Sequence, residues 1–154
     1  SLLDLADIPA DEELAAAMAI DPGDMVQRSV RLRRLEDDTF SYLVSHVPLD
    51  IAKRYTRADL ETKPMLELLR RAGAEAVEAD QTITAAAAEP HIAGALKISP
   101  GSPLLKIVRI MRDGNGRAIQ HITAFYRPER FRYHMRMVRR DSRADSDWSD
   151  AELA

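Results

Sequence analysis

Residues 88–112 read "AEPHIAGALKISPGSPLLKIVRIMR", and residues 10–34 read "ADEELAAAMAIDPGDMVQRSVRLRR". Shifted by 78 positions, the two stretches coincide at Ala10/Ala88, Ala15/Ala93, Ala17/Ala95, Ile20/Ile98, Pro22/Pro100, Gly23/Gly101, Val30/Val108, Arg31/Arg109 and Arg34/Arg112. Leu14/Ile92, Met18/Leu96, Val26/Leu104 and Arg28/Lys106 are similar. Each copy reads as a helix, a Pro-Gly turn and a strand. Two copies are too few for a solenoid, whose faces need three or more units to be buried. They suit one antiparallel sheet built from two related helix-turn-hairpin halves. With helices on one face, that is an α+β layer architecture. The crevice between the halves is then the natural place for a ligand.

The elements around the repeat follow from periodicity. Asp11–Met18 reads as a helix, with acids in its first turn and alanines after them. Val26–Leu35 alternates, with Val26, Val30 and Leu32 on one parity and Arg31 and Arg33 on the other, so it is a strand. Phe40–Val47 is the returning strand, ended by Pro48. Thr62–Ala72 reads as a helix with Thr62 as cap, Pro64 in the first turn and Gly73 after the end. Val77–Ala88 reads as a strand, with helix as the rival because of its alanines. Glu89-Pro90 opens a short helix to about Leu96. Leu104–Arg112 and Ala118–Tyr126 are strands joined by "DGNG", a strong hairpin signal. Phe131–Val138 alternates again and reads as a last strand, with Phe131, Tyr133, Met135 and Met137 on one face. The polar tail, residues 141–154, reads as loose chain or a frayed helix.

The chain has 154 residues, which fits one domain with a real core. A net charge of -3 argues against strong nucleic-acid binding by this chain alone. The arginine and aromatic residues between Arg127 and Arg140 are the one stretch that favours it. There is no cysteine, which excludes disulfides, thiolate metal sites and cysteine nucleophiles. A cytoplasmic location is the expectation. No signal peptide and no membrane-length apolar run is present. Ser1 in place of an initiator Met implies a piece of a longer chain. His46, His91, His121 and His134 show no metal-ligand spacing, so no metal and no cofactor is expected.

Arg31 and Arg33 project from one strand face roughly 7 Å apart. They can fork a phosphate or carboxylate, or they can form a solvated surface. Gln120, Ile122, Ala124 and Tyr126 share one face of the second hairpin.

Two longer stretches carry a resemblance: "SPGSPLLKIVRIMRDGNGRAIQHITAFYRPERFRY" from Ser99 and "VRLRRLEDDTFSYLVSHVP" from Val30. In order and spacing they resemble the UTRA domain, the effector-binding half of HutC-type GntR-family transcription regulators. The resemblance implies a chorismate-lyase-like fold over residues 1–140, with about six antiparallel strands and flanking helices. It implies a non-enzymatic sensor of a small molecule, dimerisation, and an upstream winged-helix DNA-binding domain that this chain lacks. It implies an anion held by Arg31 and Arg33, with Lys63 beside Thr62 and Met65 at a helix start. It also implies Gln120 and Tyr126 toward the ligand. The family's acidic residues fall on Gln120 and Leu43 here, so an amino-sugar phosphate fits poorly and a less polar organic acid fits better. The alternative is a chorismate-lyase-type enzyme acting on a small organic acid. Such an enzyme needs a general acid, and the aligned pocket positions supply none.

Overall fold

In the computed structural model, which describes residues 1–36, 38–139 and 148–149, six strands form one antiparallel sheet. They are β1 (Leu2–Pro9), β2 (Met25–Leu35), β3 (Asp38–Pro48), β4 (Glu78–Ala87), β5 (Pro103–Arg112) and β6 (Ala118–Tyr126). Their order is β1-β2-β3-β6-β5-β4. The helices are α1 (Glu12–Met18), α2 (Leu49–Ala52), α3 (Arg57–Thr62), α4 (Met65–Arg71) and α5 (Pro90–Leu96).

The repeat extends down to single hydrogen bonds. Helix α1 starts on an N-cap: Asp11 Oδ1 accepts from the Leu14 amide. Helix α5 starts instead on Pro90, which needs no amide partner at a first-turn position. Both end on a left-handed residue, Ala19 at φ 52° and Lys97 at φ 56°, 78 positions apart. Gly23 and Gly101 take the positive φ of the following turn, 92° and 82°. The Gly23 amide donates to Ala10 O and the Gly101 amide to Ala88 O, each at 2.8 Å. Each hairpin carries a β-bulge at the equivalent step, after Arg33 in the first and after Met111 in the second. A bulge sets two residues against one, which accounts for the extra residues Phe40 and Ile119.

The repeating unit is therefore strand-helix-strand-strand. Its first strand in the first half, β1, was not expected from the sequence. Its counterpart β4 was: Ile8 pairs with Val26 as Ala86 pairs with Leu104. The two units join along β3 and β6, from Ser41 opposite Tyr126 to His46 opposite His121.

Helices cover both faces of the sheet, not one. On one face α1 buries Leu14, Ala15 and Met18 against Val26. On the same face α5 buries Ile92, Ala93 and Leu96 against Leu104, the equivalent cluster. The opposite face is covered by α2, α3 and α4, the connection between the two units. There Leu60, Leu68 and Leu69 pack on Val47 and Ile119.

Two expected elements differ. The helix read over Thr62–Ala72 starts three residues later, as α4 at Met65, and Thr62 belongs to the separate helix α3. Lys63 precedes Pro64 and is extended at φ -116°, ψ 150°, because proline disfavours helical geometry in the residue before it. Thr62 thus ends α3, its hydroxyl donating to Ala58 O, and does not cap α4. The strand read over Phe131–Val138 does not join the sheet. β6 already has neighbours on both sides, so the segment that follows it cannot pair with β6; the free edges, β1 and β4, lie at the two ends of the sheet. Tyr133, Met135 and Met137 are exposed instead. Only Val138–Arg139 pairs, with Trp148–Ser149. Apart from those two residues, the reading of the tail falls outside the described residues. Among the described residues, no helix is long and apolar enough to cross a membrane.

Candidate functional site

A cavity of about 500 Å³ lies between the sheet and the α3–α4 layer. That is within the range of small-molecule sites. Its floor draws on both repeat units. Register places Arg31 opposite Leu43, Ser45 opposite Ile122, Ile122 opposite Arg109, and Gln120 opposite Met111. Opposed residues share a sheet face, so all of these side chains rise on the α3–α4 side. The roof comes from Leu60 to Leu66.

Six of the seven expected ligand residues line this cavity: Arg31, Arg33, Leu43, Lys63, Met65 and Gln120. Tyr126 does not. It stacks on Phe131, with ring centroids 4.4 Å apart and planes at 26°. There it belongs to the apolar cluster of Leu43, Ile107 and Ala124 that backs one end of the cavity.

Arg31 is half-buried, and its Nη1 donates to Leu60 O at 3.2 Å and Lys63 O at 3.4 Å. These carbonyls sit at the C-terminal end of α3, where backbone dipoles favour a cation. Burial lowers the Arg31 pKa, and the Arg33 charge beside it lowers it further, while Tyr55 opposes. An arginine pKa starts so high that the group stays charged near neutrality. Lys63, expected at a helix start, is both the C-cap of α3 and the residue before Pro64, the N-cap of α4, and its ammonium turns back to pair with Asp59. That ammonium, with the capping bonds from Thr56, holds the Asp59 carboxyl far below its usual range. Lys63 therefore brings its own counter-charge. Gln120 is buried and its Nε2 donates to Ser45 Oγ at 2.8 Å, so the amide is fixed on the floor.

The lining thus holds Arg31, Arg33 and Arg109 against a single acid, Glu61. Sequence reasoning missed Arg109 and Ser45 as lining residues. The signal for Arg109 was present, since it is the repeat partner of Arg31. Ser45 was two residues from Leu43 on the same strand, hence on the same face. His121 lies on the other face, opposite His46.

The UTRA domain model matches residues 1–132. The chain belongs to the UTRA domain family. It is 26% identical over 132 residues to the HTH-type transcriptional repressor NagR of Bacillus subtilis, covering 86% of this chain and 54% of that protein. This UTRA domain so spans about half the length of that relative. A transcriptional regulator from Streptomyces coelicolor matches with TM-score 0.81 and 33% identity, over 86% of this chain and 87% of that one. The ligand-binding domain of a GntR-family regulator from Bordetella bronchiseptica matches with TM-score 0.82 and 25% identity, over 87% of each chain. The α+β sheet read from the repeat is therefore the fold of GntR-type effector domains.

Proposed function

We propose that this UTRA domain senses a small anionic metabolite and passes its presence to a winged-helix DNA-binding domain outside residues 1–140. It acts in the cytoplasm, within a homodimer. The observation that carries this reading is Arg31: a half-buried guanidinium in a cavity wall, next to Arg33, with no carboxylate partner among the described residues. Leaving charge of one sign in a concave, partly dry site favours a ligand of the other sign. Leu43, Met65 and Ile122 suit the apolar part of such a ligand. Gln120 and Ser45 suit a neutral polar group on it. Lyase-type chemistry needs a general acid on this floor, where Leu43, Ser45 and Gln120 stand.

Isothermal titration against organic acids and phosphosugars tests the proposal. Binding of an anion is expected, with Arg31→Gln weakening it roughly tenfold or more, as charge-assisted hydrogen bonds imply. Tight binding of a neutral compound alone, unchanged in Arg31→Gln, would overturn it.

A further inference from the structure

The cavity has a second cationic end, and we infer that its ligand is a dianion: two anionic groups joined by an apolar spacer, one on Arg31 and Arg33, the other on Arg109. This deepens the anion-binding reading above and rests on it.

The argument begins with which arginines are matched. On the same sheet, Arg28 pairs with Asp4 and Arg112 with Asp80. Arg31, Arg33 and Arg109 have no carboxylate in bridging distance among the described residues, and all three line the cavity. Arg109 is not merely loose surface charge. Its Nε and Nη2 both donate to Gln81 Oε1, its register partner on β4, the former at 2.8 Å. A neutral amide fixes the guanidinium without cancelling its charge. Among the described residues, the rest of the fork, at Nη1, is free to donate.

Geometry sets the two cations at opposite sides of one floor. Between β2 and β5 lie β3 and β6, so the backbones of Arg31 and Arg109 are three strand spacings apart, roughly 14 Å. Arg31 reaches up to the α3 carbonyls, while Arg109 leans toward Gln81 on β4 and still lines the cavity. Between them the floor is Leu43 and Ile122, with Ser45 and Gln120 beside them bonded to each other; the apolar pair offers burial to carbon and the polar pair a neutral contact, which suits a largely apolar spacer. A single compact anion fits one end and leaves the other unmatched. A dicarboxylate or a phosphorylated carboxylate with several carbons between its charges matches both.

The test is calorimetry on the chain with α,ω-dicarboxylates of four to eight carbons, each beside the monocarboxylate of the same length. At the best length the diacid should bind roughly tenfold or more tightly than the monoacid, the value of one charge-assisted contact. Arg109→Gln should remove that preference while leaving the monoacid within about twofold. Arg31→Gln should weaken both acids. A second variant, Gln81→Leu, keeps the Arg109 charge but releases its anchor, and should reduce the preference in part. If diacids bind no better than monoacids, or if Arg109→Gln keeps the preference, the inference fails while the Arg31 site stands. If neither carboxylates nor inorganic phosphate bind, or Arg31→Gln changes nothing, the anion-binding reading fails and takes the inference with it.

Discussion

Acidifying the protein from pH 7.5 to pH 5 should destabilise it through two imidazoles on the sheet face away from the cavity. His46 and His121 are register partners on β3 and β6, with ring centroids 5.9 Å apart. The Nδ1 atoms of both are buried and have no hydrogen-bond partner among the described residues. Burial first, then the neighbouring His121 and Arg28, lowers the His46 pKa to about 4, against a small opposing pull from Asp11. His121 is lowered too, chiefly by burial and then by Lys106, with Glu13 opposing. In the unfolded chain both rings take a proton near pH 6.5. A base whose folded pKa is depressed gives stability that is whole above the unfolded value and drains away as pH falls toward the folded one. The window is therefore pH 6.5 down to about 4 for His46. At pH 5 the unshielded cost for that ring is about 2 kcal/mol. The ring is only partly buried, so solvent screening reduces this to about 1 kcal/mol. His121 adds to it in the same direction. Carboxylates contribute little in this interval, because even in the unfolded chain they titrate near pH 4. Urea unfolding at the two pH values measures the loss. The double variant His46→Leu with His121→Leu should flatten the difference to within about 0.5 kcal/mol. Equal wild-type stability at both pH values, or a full pH dependence retained in the double variant, would refute the reasoning.

Two further expectations concern the paired helices. Leu96→Ala removes a fully buried side chain from the α5 cluster and should cost about 2–5 kcal/mol in denaturant unfolding. Gly94 and Gly101 should respond with opposite signs to alanine. A Cβ meets nothing within 4 Å at either. Gly94→Ala, inside α5, should stabilise by roughly 0.5–1 kcal/mol, while Gly101→Ala, at φ 82°, should destabilise by about 1–2 kcal/mol. Thermal melts of the two variants side by side decide this.

The repeat made most of the fold legible, because an offset of 78 carries turn chemistry as well as apolar pattern. What it did not announce has physical reasons. In β1 the acids Asp4 and Asp7 interrupt the apolar residues, as an edge strand allows; Asp4 is there to meet Arg28 from β2. Helices α2 and α3 have four and six residues, too short to display a 3.6-residue period. Phe131–Met137 shows a strand's alternation yet follows β6, which is already paired on both sides; periodicity says nothing about free partners. At the site, parity alone put Arg31 with Arg33 and Gln120 with Ile122 on shared faces. It could not say that a stacked Phe131 would screen Tyr126, nor that Lys63 would spend its charge on Asp59. Those depend on how separate segments fold back over the sheet.

Among the described residues the β3–β6 ladder is the only sheet pairing between the two units, and the cavity floor straddles it, with Leu43 and Ser45 on one bank and Gln120 and Ile122 on the other. An occupant gripping both banks would act as a rivet across a weld line. Amides along Ser41–His46 and His121–Tyr126 should then exchange with deuterium more slowly when the hollow is filled, even though the rivet touches few of them.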